Sequence, residues 1–155
     1  MRSFLALIGR LIFWSISPFF KIFFKKRQTT RLAIFKQNSL IVVTNYLGNG
    51  SLSLPGGGIK RHETPLQALS REVKEEIDLD INQFQLKYLG YFFANNRFVK
   101  YQYHLWTTRI DNLEIKNLKT HRPLEINQIL IIDLAELNNY QLSDEIKRVL
   151  NNLSP

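Results

Sequence analysis

The chain of 155 residues has no cysteine and a formal net charge of +8 at pH 7. This length suits one domain with a workable core plus an appendage, and the lack of cysteine excludes disulfides and thiolate metal sites. Residues 1–31 hold seven basic and no acidic residues, so 14 basic and 13 acidic residues remain beyond them. The remainder is close to neutral, so the charge distribution suggests an anionic surface as partner of the basic segment and does not suggest a nucleic-acid-binding domain.

The first predicted element is an apolar, basic helix over residues 1–29. The protein itself is predicted to be cytoplasmic. Residues 3–24 are rich in Phe, Leu and Ile, and a basic cluster follows at 25–27. Arg10 interrupts the apolar run, which disfavours a secretory signal and would cost a membrane-spanning helix about 2.5–3.5 kcal/mol. We expect residues 1–27 to lie on an anionic membrane surface at the cytoplasmic face. The alternatives are a helix packed on the domain, a homodimer interface and a spanning helix.

Three strands are predicted ahead of the first internal helix. Residues 31–36 and 40–46 are rich in apolar and β-branched side chains on either side of a short polar turn. Residues 51–54 form a short strand that enters a glycine run at residues 56–58. Glycine lets a backbone approach a metal or a phosphate closely, so the run is a candidate binding loop.

A helix is predicted from Pro65 to Ile77. Thr64 is suited to the N-cap position, Pro65 to the first helical position, and Gln67 completes a capping box with Thr64. Apolar residues then recur at spacings of three and four, which predicts one buried face. These apolar positions are Leu66, Leu69, Val73 and Ile77.

Three carboxylates crowd together on the same helix. Glu72, Glu75 and Glu76 stand at positions i, i+3 and i+4, where like charges repel each other. A hard divalent cation removes that repulsion, and oxygen ligands suit Mg²⁺ or Mn²⁺ rather than zinc. A Glu-rich helix is more often a solvated face. That interpretation leaves the glycine run, Glu63 and Arg71 unexplained, so the sequence favours a metal site.

Strands and one further helix are predicted beyond this site. Residues 86–93 and 98–107 resemble the two strands of a hairpin separated by Asn95-Asn96, and residues 129–132 form a compact apolar strand. Ser143 is suited to cap a final amphipathic helix that continues to about residue 150.

The segment from Gly57 to Leu79 carries a motif with fixed spacing. It reads G-x5-E-x7-R-E-V-x-E-E, which resembles the MutT-like box of the Nudix hydrolase family. The resemblance implies an α/β Nudix fold over residues 30–155, with a mixed β-sheet sandwiched between α-helices. Asp78 stands where the family pattern has a glycine. Asp tolerates a left-handed backbone better than most residues, so we expect the change to affect the helix exit and not the metal ligands.

The resemblance also implies roles for individual residues. Glu72, Glu75 and Glu76 would hold divalent metal ions, with the backbone carbonyl of Gly56 as a further ligand. Glu72 and Glu75 are accordingly the predicted catalytic residues of the box. The loop-fixing residues would be Gly57 and a buried pair formed by Glu63 and Arg71. Glu125, ahead of the predicted strand at 129–132, is a candidate general base, although an ordinary surface acid is the commoner explanation.

The implied activity is Mg²⁺-dependent hydrolysis of a nucleoside diphosphate-linked compound by attack of water on phosphorus. The family's markers for ADP-ribose and dinucleoside polyphosphate substrates are missing, because Asn95, Asn96 and Arg97 occupy that region. Nucleoside triphosphates, nucleotide sugars and lipid-linked diphosphates therefore remain as substrates. The alternative function is a non-catalytic nucleotide-binding module that acts as a sensor or a membrane-recruited adaptor.

Overall fold

The computed structural model describes residues 28–46, 50–95, 100–111 and 118–153. Residues 1–27 of the predicted helix lie outside the described residues, and its predicted end at residues 28–29 is wrong, because these two residues belong to a strand. The strands are β1 (Gln28–Lys36), β2 (Ser39–Asn45), β3 (Leu52–Ser53), β4 (Lys87–Asn95), β5 (Lys100–Arg109) and β6 (Ile126–Asp133); the helices are α1 (Pro65–Ile77) and α2 (Asp144–Leu153). Two short 3-10 turns lie at Ile81–Gln83 and Leu137–Asn139.

The six strands form one mixed sheet in the order β3-β2-β1-β5-β4, with β6 also paired to β2. Strands β1 and β5 are parallel, in register from Gln28 opposite Gln102 to Phe35 opposite Arg109. The other pairs are antiparallel. This arrangement confirms the predicted mixed sheet.

A hydrophobic cluster lies on each face of the sheet. Alternate residues of a strand point to opposite faces, so β1 and β2 contribute to both clusters. Helix α1 contributes Leu69, Val73 and Ile77 to a cluster with Leu32, Ile34, Ile41 and Val43. Helix α2 contributes Ile146 and Val149 to a cluster with Ala33, Phe35, Val42, Tyr103 and Leu105. The predicted sandwich of a sheet between helices is therefore confirmed.

Helix α1 begins and ends where the sequence predicts. The Thr64 hydroxyl accepts from the Gln67 N–H, and the Gln67 side chain accepts from the Thr64 N–H, which completes the capping box. The predicted burial of Leu66 is wrong, because this side chain is 44% exposed. Packing of α1 against the sheet starts only at Ala68.

Strands β1 and β6 extend beyond their predicted ends, whereas β3, predicted over residues 51–54, is limited to Leu52–Ser53. Strand β6 begins at Ile126 and not at Ile129, and β1 begins at Gln28 and not at Arg31. Ladder hydrogen bonds continue through residues whose side chains are partly exposed, where the apolar pattern fades. Within the described parts of the chain, no helix is both long and apolar enough to cross a bilayer.

Candidate active site

The glycine run lies against the start of β1. The N–H of Thr30 donates to the Gly57 carbonyl and that of Leu32 to the Pro55 carbonyl, each at 2.9 Å. Gly56 has a φ of +130°, and a Cβ atom there would lie 2.2 Å from the Thr30 carbonyl oxygen. A Cβ atom on Gly57 would lie 2.5 Å from the carboxyl carbon of Glu72. The two glycines therefore let the loop fit between β1 and α1.

The predicted pair of Glu63 and Arg71 is present. Nε of Arg71 donates to Glu63 Oε1 at 2.7 Å and Nη2 donates to Oε2 at 2.8 Å, a bidentate contact. Hydrogen bonds from Arg71 are the main cause that lowers the pKa of Glu63 to about 2. The prediction that the pair is buried is wrong, since each side chain is about one fifth exposed, at 19% and 21%. Arg71 Nη2 also donates to the Gly58 carbonyl at 3.0 Å, which fixes the loop to α1.

Two of the three clustered carboxylates are buried. Glu72 is 4% exposed and Glu76 is 3% exposed. Oε2 of Glu76 accepts from the Gly56 N–H at 2.7 Å. Burial is the main cause that raises the pKa of Glu76 to about 7, and the nearby Glu72 adds to it. Burying the charged form of Glu76 is unfavourable in free energy, and a bound cation would offset that penalty.

Arg122 joins the carboxylates from a distant part of the chain. Its Nη1 lies 2.9 Å from Glu72 Oε2 and 3.2 Å from Glu125 Oε2, and its Nη2 contacts Glu75 Oε2. The structure therefore brings Glu125, the candidate base, close to the box carboxylates through a shared arginine. The sequence analysis missed Arg122, since no motif or spacing marks it.

Arg31 was also missed. Its Nη1 donates to the carbonyls of Gly56 and Leu54, and its Nε lies 3.8 Å from Glu145 Oε1. Tyr101 donates to the other oxygen of Glu145 at 3.0 Å. The Gly56 carbonyl, a predicted metal ligand, thus has an arginine as its partner in this arrangement.

The carboxylate oxygens are of the type that binds divalent cations, although arginine side chains contact them in this structure. Among the described residues, no three acidic or histidine side chains converge in a geometry that could hold a metal ion. Glu72 Oε2 is nevertheless a buried oxygen without a hydrogen-bond donor, because its ion pair with Arg122 lacks the alignment of a hydrogen bond. Buried carboxylate oxygens are the ligands that Mg²⁺ and Mn²⁺ prefer. By the chemistry of their donor atoms, the residues therefore fit such an ion.

A cavity of about 480 Å³ opens beside these groups. Acidic and basic side chains face it together with the glycine loop, so the cavity could hold both a cation and phosphate groups. The charged residues that line it are Arg31, Lys60, Glu72, Glu76, Arg122 and Glu125.

Comparisons with known proteins identify the family and the fold. A family model described as NUDIX domain matches residues 25–153. An RNA pyrophosphohydrolase from Marinomonas sp. (strain MWYL1) is 33% identical over 60 residues, which cover 39% of this chain and 37% of that protein. The match thus spans little more than a third of that relative.

Two solved structures share the fold. The MutT NUDIX hydrolase from Burkholderia pseudomallei has a TM-score of 0.70 at 16% identity, covering 83% of this chain and 98% of that chain. The NUDIX domain of Shewanella oneidensis NrtR, solved with ADP ribose, has a TM-score of 0.69 at 14% identity, covering 82% and 86%.

Proposed function

Because the chain belongs to the Nudix family, we propose that it hydrolyses a diphosphate bond in a nucleoside diphosphate-linked compound, with Mg²⁺ or Mn²⁺ as its metal. The observation that carries the proposal is the burial of Glu72 and Glu76 against the glycine loop, beside a cavity that basic side chains also line. Buried carboxylates and facing cations suit a metal and the phosphates that it binds.

Glu72, Glu75 and Glu76 would hold the metal, with the Gly56 carbonyl as a further ligand. When bound, the metal polarises the phosphoryl oxygens and lowers the pKa of a bound water. Glu63 and Arg71 would act indirectly, because they fix the glycine loop to α1.

The remaining polar groups would handle the substrate. Lys60 and Arg31 line the cavity, where they would bind phosphate oxygens. Glu125 lines the same cavity and is 53% exposed at its side chain, so water reaches it. It would accept the proton of the water as the oxygen attacks phosphorus and the bond to the leaving phosphate breaks.

The names of similar proteins suggest compounds to test as substrates. One relative is an RNA pyrophosphohydrolase and one structural neighbour is complexed with ADP ribose. The competing function is a non-catalytic nucleotide-binding module, a sensor or a membrane-recruited adaptor. The presence of all four box glutamates favours the enzyme: Glu63, Glu72, Glu75 and Glu76.

Residues 1–27 would attach this domain to an anionic membrane surface, at the cytoplasmic face and as a peripheral protein. The support is the acid-free, Phe-rich composition of that segment ahead of an almost neutral domain. Packing on the domain, homodimer formation and a spanning helix are the competing roles of the segment.

The test is a screen for Mg²⁺-dependent cleavage of nucleoside triphosphates, nucleotide sugars, ADP-ribose, 5′-triphosphate RNA and lipid-linked diphosphates, detected as release of phosphate, pyrophosphate or a phosphomonoester. Glu75→Gln is the control, because it keeps the size of the side chain and removes a metal-binding charge. The proposal expects release from at least one compound by the wild type and about 10²-fold less by the variant. Tight nucleotide binding without any release would favour the non-catalytic module.

A further inference from the structure

Arg122 shares two carboxylates with the proposed metal. It contacts Glu72 and Glu75, although it stands 47 residues after Glu75 in the chain. A guanidinium and a divalent cation are both positive, so they repel each other when they contact the same carboxylate oxygens. In the arrangement described here, Arg122 balances these charges together with Arg71, whose Nη1 lies 2.6 Å from Glu72 Oε1 and 3.6 Å from Glu75 Oε2.

The loop that carries Arg122 is anchored to the end of α1. The N–H of His121 donates to the Glu75 carbonyl at 2.9 Å. Nε2 of His121 lies 3.1 Å from Asp78 Oδ1. Asp78 is the residue that replaces the family's glycine, and it adopts the left-handed conformation with φ 55° and ψ 36°. The substitution thus adds a carboxylate that holds the loop.

We propose that a divalent metal displaces Arg122 from Glu72 and Glu75, and that the freed guanidinium then binds a phosphate group of the substrate. This inference rests on the proposed function. A guanidinium forms bidentate hydrogen bonds with phosphate as readily as with carboxylate. Arg122 also lines the cavity in which the phosphate groups would lie, so its side chain already borders that space.

The Asp78–His121 contact then acts as a positioning device. It holds the backbone on the N-terminal side of Arg122 while the side chain changes partner. The chain is also fixed on the other side, because the Tyr46 N–H donates to the Glu125 carbonyl at 3.1 Å. A guanidinium on a fixed backbone loses less freedom when it binds phosphate than one on a free loop.

The first experiment measures binding of Mn²⁺ alone to the full-length protein by calorimetry. Arg122→Gln removes the competing cation, so its Kd for Mn²⁺ should fall about threefold to tenfold below that of the wild type. Lys119→Gln is the matched control, because Lys119 is an exposed cation on the same loop and the net charge changes equally. A Kd for Arg122→Gln that is no lower than that of Lys119→Gln overturns the exchange.

The second experiment measures binding of inorganic pyrophosphate at saturating Mg²⁺. Arg122→Gln should weaken binding about tenfold, while Lys119→Gln should change it less than twofold. The same variant thus gains affinity for metal and loses affinity for phosphate, and a general loss of structure would lower both. Unchanged pyrophosphate binding overturns the phosphate contact. Neither measurement needs turnover. An inactive wild type would therefore count against the proposed function, while the two binding measurements would still decide whether Arg122 exchanges partners.

The anchor is tested by Asp78→Gly and Asp78→Asn under the same conditions. Glycine keeps the left-handed turn and removes the contact with His121, so pyrophosphate binding should weaken about threefold with circular dichroism unchanged. Asparagine keeps an acceptor for His121 and should restore most of the affinity. Equal affinities for the wild type and Asp78→Gly would refute the positioning role.

Discussion

Replacement of the buried carboxylate Glu76 by glutamine should stabilise the metal-free protein and inactivate it. Glu76 is 3% exposed, and burial raises its pKa from 4.5 to about 7. The difference of about 2.5 pKa units, at about 1.4 kcal/mol each, corresponds to about 3 kcal/mol. That is the largest free energy of unfolding that ionisation of this one side chain can remove.

The sign of the effect follows from proton binding. Between pH 4.5 and about 7, folded Glu76 keeps a proton that the unfolded chain has already released. The stability that this group contributes is therefore complete below pH 4.5 and is lost as the pH rises to about 7. Glutamine is neutral throughout and keeps an acceptor for the Gly56 N–H, so Glu76→Gln should not show this loss.

The assay is chemical unfolding in EDTA at several pH values. At pH 8 we expect Glu76→Gln to be about 1–3 kcal/mol more stable than the wild type, with the difference vanishing near pH 4.5. Turnover with Mg²⁺ should fall about 10²-fold. Glu75→Gln is the control, because its side chain is 33% exposed and its loss of turnover should come without the gain in stability. A stability difference between wild type and Glu76→Gln that does not change with pH would refute the reasoning.

Three further changes have expected outcomes. Gly57→Ala places a Cβ atom 2.5 Å from the Glu72 carboxyl carbon, so it should lower the free energy of unfolding by about 1–3 kcal/mol, measured by thermal unfolding. Gly58→Ala is the control, because its Cβ atom would meet nothing within 4 Å and the melting temperature should not change. Arg71→Lys loses the bidentate contact with Glu63 and should lower stability by about 1–2 kcal/mol; a melting temperature equal to that of the wild type would contradict the pair. Deletion of residues 1–27 should leave Mg²⁺-dependent hydrolysis intact and abolish flotation with anionic vesicles, and an unfolded truncation would instead show that the segment packs on the domain.

Local sequence determines α1 and its cap, and the prediction there was accurate. Thr64 and Gln67 form a capping box three residues apart, so both hydrogen bonds depend on neighbours in the chain. The Glu63–Arg71 contact was predictable for a related reason, since a known motif fixes its spacing. Leu66 shows the limit of periodicity, which identifies a helical face without showing where along the helix the sheet begins.

Long-range contacts could not be predicted in this way. Arg122 meets Glu75 only because the loop ahead of β6 returns to the end of α1, and Arg31 meets the Gly56 carbonyl only because β1 runs beside the glycine loop. No local pattern distinguishes either arginine from others in the chain. The basic side of the site therefore became apparent only from the folded arrangement.

The most direct test of the proposed activity is hydrolysis in H₂¹⁸O, with the products analysed by mass spectrometry. Water attack on phosphorus predicts one ¹⁸O atom in a phosphate-bearing product, dependent on Mg²⁺ and reduced about 10²-fold in Glu75→Gln. Product without ¹⁸O in any phosphate, or label that is equal in the wild type and Glu75→Gln, would contradict metal-dependent diphosphate hydrolysis at this site.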